Sequence, residues 1–164
     1  MEKSIKSTCS LAFSNPVFSY EIKYEDDFRN SLIEECIKYR NESKTINESV
    51  AHKQVGWQSN KFLFQATDPS LKRVSSFIDN CLFGAIRSIS PDIDLSKYAL
   101  RREGWINVNE KGTLHFPHIH GGSTFSGVFY VKVPKINQTD DKDIRKPGFI
   151  EFLDPRNDVA SFAK

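Results

Sequence analysis

Apolar positions recur at helical spacing in the first part of the chain and alternate in the last part. Over residues 24–40, Phe28, Leu32, Cys36 and Tyr39 form a stripe that Ile33 and Ile37 widen. Side chains three and four apart share a helix face, so this pattern predicts an amphipathic helix. The acidic run Glu25-Asp26-Asp27 opens it, where negative charge meets the positive end of the helix dipole. A second helix is predicted near 69–89, from Leu71, Val74, Phe77, Ile78, Cys81, Leu82, Ala85 and Ile86. Asp68 is placed to cap it, Pro69 suits its first position, and Ser90-Pro91 ends it. Both helices read as core-packing elements.

From Tyr98 onward the pattern becomes that of strands, predicted at 98–109, 125–133 and 148–153. Residues 134–147 read as a polar hairpin loop, and residues 41–50 as another loop. One or two short strands are expected within 11–22, around Pro16, and Gly56-Trp57-Gln58-Ser59 reads as a compact aromatic turn. Helices first and antiparallel strands afterwards give an α+β fold, with helices buttressing a sheet or half-barrel. We expect one domain over 1–164, helix-rich to residue 97 and β from 98 onward.

Thirteen Phe, five Tyr and two Trp are enough aromatic volume for a core. The net charge of +2 is spread along the chain, which argues against a dedicated nucleic-acid surface. The one dense basic spot, Leu100-Arg101-Arg102, reads as a solvated edge. Cys9, Cys36 and Cys81 follow no metal or redox spacing, and an odd count suits a reducing compartment, so the expected location is cytoplasmic. The sequence contains no apolar run long enough for a membrane helix. It also contains no P-loop, no GxGxxG and no GxSxG elbow.

Three of the four histidines, His115, His118 and His120, fall in one short stretch. Side chains two apart on an extended strand point to the same face, so His118 and His120 can converge. Two neighbouring imidazoles are the start of a metal site; the alternative is a histidine cluster on a surface loop. Imidazole suits iron, zinc, copper and nickel, and Fe(II) oxygenases complete two histidines with one carboxylate. Candidates for a third ligand are His115, Glu151, Asp154 and His52.

Several motifs then carry a resemblance over nearly the whole chain, in order. They are Gly56-Trp57-Gln58-Ser59, Trp105-Ile106-Asn107 followed by Gly112, His118-Ile119-His120, Ser126-Gly127-Val128-Phe129-Tyr130-Val131 and Asp154-Pro155-Arg156. In these the chain resembles the 2-oxoglutarate-Fe(II) oxygenases found in bacteria and their viruses. The resemblance implies a jelly-roll (double-stranded β-helix, cupin-like) core, Fe(II) held by His118 and His120, and 2-oxoglutarate as a small-molecule cosubstrate. The reaction implied is hydroxylation of a C–H bond, with decarboxylation of 2-oxoglutarate to succinate. Within it, Tyr130, Ser126 and Asn107 are candidate hydrogen-bond donors to the cosubstrate carboxylate, the alternative for each being a structural role.

The family pattern continues through a distal histidine and a basic anchor, whereas no histidine follows His120 and the sequence stops at Lys164. The expectation is therefore a core incomplete at the C-terminus and a chain that does not turn over alone. Strand edges left open in such a core need a cover, and a homo-oligomer is one way to supply it. A second reading follows: a non-catalytic metal-binding or assembly β-domain that lacks the distal half of the active site. A cupin-type protein holding zinc or manganese is a variant of it.

Overall fold

The structure is a computed structural model that describes residues 15–43, 56–133 and 148–153. Two helices supply most of its buried surface. The first, α1 (Asp26–Glu42), has Asp26 and Asp27 in its opening turn and Arg40 in its last, matching the helix dipole at both ends. It runs two residues beyond the predicted end because Asn41 and Glu42 contain no breaker, and the Ser43 N–H closes it on Tyr39 O at 3.0 Å. Leu32, on the predicted stripe, is among the most deeply buried side chains.

The second, α2 (Pro69–Ile89), begins and ends where its sequence signals place it. Asp68 Oδ1 accepts hydrogen bonds from the N–H groups of Ser70 at 2.8 Å and Leu71 at 3.1 Å, so two donors left over at the helix start are satisfied. Leu71, Val74 and Ala85 line its buried face. Leu32, Leu63, Leu71 and Val74 form the core, surrounded by Phe28, Cys36, Phe62, Ala66, Ile78, Ile106, Phe129 and Val131. Arg73 crosses between the helices: its guanidinium lies 4.3 Å from the Phe28 ring centroid and 3.4 Å from a Glu25 carboxylate oxygen.

The β part of the described residues is small. Strand β1 (Trp57–Gln58) pairs antiparallel with β2 (Asn107–Val108), Trp57 opposite Val108 and Gln58 opposite Asn107. The motif expected to be an aromatic turn is thus a strand. Its identity is set by a partner some fifty residues away, which local periodicity does not register. Ser59 extends the pairing: its N–H donates to Ile106 O, and its hydroxyl accepts the Ile106 N–H, each at 2.9 Å.

The expected strand over 98–109 is reduced to Asn107–Val108, and residues 125–133 and 148–153 form no ladder among the described residues. Nor is there a strand in residues 15–22, while 11–14 lie outside the described residues, as do 44–55, 134–147 and 154–164, and with them His52 and Asp154. A strand exists through its neighbour, and among the described residues a ladder forms only between Trp57–Gln58 and Asn107–Val108, with His115 in a single bridge. Alternation nevertheless survives over residues 128–131. Phe129 and Val131 pack on the helical core, while Val128 and Tyr130 are exposed. The architecture is therefore mixed helix with a small antiparallel sheet, and the jelly roll expected from the resemblance is not formed by the described residues.

Candidate metal centre

The histidine segment is framed by two tight turns. In the first, the Thr113 N–H reaches Glu110 O at 3.0 Å, with Gly112 third in the turn at φ 88°. In the second, the Ser123 N–H reaches His120 O at 3.2 Å, with Gly122 third at φ 80°. Nothing lies within 4 Å of where a Cβ would project at either glycine, so it is backbone conformation and not space that calls for glycine.

Between these turns the chain folds back over residues 105–109. Trp105 meets His120 with ring centroids 5.5 Å apart, and His115 Nε2 lies 3.1 Å from Asn109 Oδ1. Both contacts fit an antiparallel return about the Gly112 turn. The alternation of residues 105–109 explains the contacts. Ile106 faces the helical core, so Trp105, Asn107 and Asn109 fall on the other side. Phe129 and Val131 likewise pack on the helical core, whereas their neighbours Val128 and Tyr130 are exposed.

His118 and His120 come together, as their spacing anticipates. Their ring centroids are 5.0 Å apart with planes at 72°. A metal–nitrogen bond of about 2.1 Å puts an imidazole centroid about 3.2 Å from the ion, so two rings about 90–105° apart at one ion have centroids roughly 4.5–5.1 Å apart. The observed separation falls in that range. The Nδ1–H of His118 donates to Phe116 O at 2.7 Å, since a carbonyl oxygen can only accept. In the neutral ring this leaves the lone pair on Nε2, and such a bond is the usual way in which a metal-binding imidazole is oriented. The donor chemistry and the spacing therefore fit two positions of an iron site.

His115 and Glu151 do not join the pair: among the described residues there is no cluster of three or more His, Cys, Asp or Glu side chains suited to a metal ion. Asn107, Ser126 and Tyr130 are exposed. Two residues that shape this region carried no functional assignment from sequence. Trp105 supports His120, and Ser59 fixes the backbone next to Trp105. The signal for Trp105 was its alternation with core-facing Ile106; for Ser59 no local signal exists.

Comparison with known proteins adds one match. Residues 103–162 match the model of a family described as "Putative 2OG-Fe(II) oxygenase". No curated protein and no solved structure matches the chain. The matched segment takes in the Trp105 platform, both histidines and the Ser126–Val131 run, so the candidate site lies in the part of the chain that is similar to these oxygenases.

Proposed function

We propose that this chain carries the iron-binding histidines of an Fe(II)- and 2-oxoglutarate-dependent oxygenase that hydroxylates a C–H bond of its substrate. Substrate, dioxygen and 2-oxoglutarate go in; hydroxylated product, succinate and carbon dioxide come out. The observation that carries this reading is the approach of the His118 and His120 rings, inside the segment similar to that family. Bound Fe(II) supplies the activation of dioxygen that protein side chains alone do not provide. His118 and His120 hold the ion, and the Phe116 carbonyl fixes the ring of His118. Tyr130, Ser126 and Asn107 offer hydrogen bonds to the carboxylate of 2-oxoglutarate, from the side of the layer turned away from the helices. In this reading that side is the interior of a jelly roll, and the helices back its outer wall. The free, unpatterned cysteines suit a cytoplasmic setting, and no helix among the described residues is long and apolar enough to cross a membrane.

The test is release of succinate from 2-oxoglutarate in the presence of Fe(II), a reductant and dioxygen. Turnover that depends on Fe(II) and disappears in His118→Ala and His120→Ala would support this reading and would overturn the expectation that the chain does not turn over alone. One Fe(II) bound per chain without any succinate would replace this reading with the non-catalytic metal-binding domain.

A further inference from the structure

We propose that Trp105 is a positioning residue for His120: its indole holds the imidazole in the orientation that the histidine pair needs and stabilises the ring once it binds a cation. The inference rests on the reading of His118 and His120 as metal ligands. The contact is a tilted one, with centroids 5.5 Å apart and planes at 42°. His118 has a backbone carbonyl to orient it, whereas His120 packs against the Trp105 indole and the His118 ring.

The backbone on either side of Trp105 is itself held. Gly104 O accepts the Leu63 N–H at 3.0 Å, and Ile106 exchanges backbone and hydroxyl hydrogen bonds with Ser59, each at 2.9 Å. A Cβ at Gly104 would come within 2.9 Å of the Phe64 ring and 3.1 Å of the Leu63 side chain, so the backbone at that point is packed directly on the core. Trp105 is thus a fixed platform and not a loose surface aromatic. Its electron-rich face attracts positive charge, and an imidazole bound to a divalent cation is more positive than a free one. The platform therefore favours the metal-bound ring over the free ring, and the effect should appear in metal affinity.

Cobalt(II) is the probe, titrated under identical conditions into the full chain and into Trp105→Phe, Trp105→Leu, Trp57→Phe and His120→Ala. Orienting groups around metal ligands are typically worth about 10–100-fold in affinity, so Trp105→Leu should bind at least about 10-fold more weakly, with Trp105→Phe restoring most of the loss. Fluorescence gives a separate readout. Cobalt(II) should quench Trp57→Phe, whose remaining indole is Trp105, much more strongly than Trp105→Phe, whose remaining indole is Trp57. Unchanged affinity in Trp105→Leu, with binding lost in His120→Ala, would overturn the positioning role and leave the metal site standing. Equal quenching in the two single-indole variants would also overturn it. Undiminished binding by His120→Ala would overturn the site and the positioning role together. Should Trp105→Leu fail to fold, Trp105→Phe and the quenching comparison still decide the question.

Discussion

Cys36 sits half-buried against the Leu32 core, and its burial pushes the thiol up to about 11, with the nearby Glu35 and Asp68 carboxylates acting in the same direction. A thiol raised in the folded state contributes stability that is fully present below the ordinary thiol pKa of about 8.5–9. That contribution is lost as pH rises toward about 11, because the unfolded thiol ionises first. With Cys9 and Cys81 replaced by serine, alkylation of Cys36 should follow a pH profile with its midpoint near 11, and the urea midpoint should fall between about pH 9 and 11. A midpoint near 8.5 would show a thiol open to water. The same environment explains why this cysteine serves packing: reactivity belongs to the thiolate, which burial disfavours.

Among elements, the link between β1 and residues 104–106 matters most for the site, because it places Trp105. Ser59 is buried at 7 % exposure, and its hydroxyl accepts from Ile106 N–H while donating to Asn60 O at 2.8 Å. Ser59→Ala leaves the Ile106 donor unsatisfied and should cost about 1–3 kcal/mol in urea unfolding, with the slope of the transition unchanged. A loss below about 0.5 kcal/mol would mean that the bond carries little net stability. The helices were legible from sequence because their signals are local: the Phe28-Leu32-Cys36 stripe, and Asp68 with Pro69 at the start of α2. The strands were not. Residues 128–131 keep their two-residue alternation, yet alternation sets which side a residue faces and not which strand lies beside it. Gly56-Trp57-Gln58-Ser59 is too short for any period to show, and its role emerges only through its pairing with Asn107–Val108.

At the scale of the whole molecule the described residues form two helices around a small core, with Trp105 and His120 in ring contact and Asn107 and Tyr130 exposed. The approach of the His118 and His120 rings was legible because it needs only a spacing of two. The third ligand and the cosubstrate anchor were not, because such groups come from residues distant in sequence whose convergence depends on the tertiary fold. The central claim is that His118 and His120 hold iron. Its most direct test is equilibrium dialysis of the chain against Fe(II) without oxygen, beside His118→Ala and His120→Ala, with circular dichroism to confirm that all three are folded. The account predicts one Fe(II) per chain for the unaltered protein and none above background for either variant. Iron retained at full stoichiometry in both folded variants would contradict it.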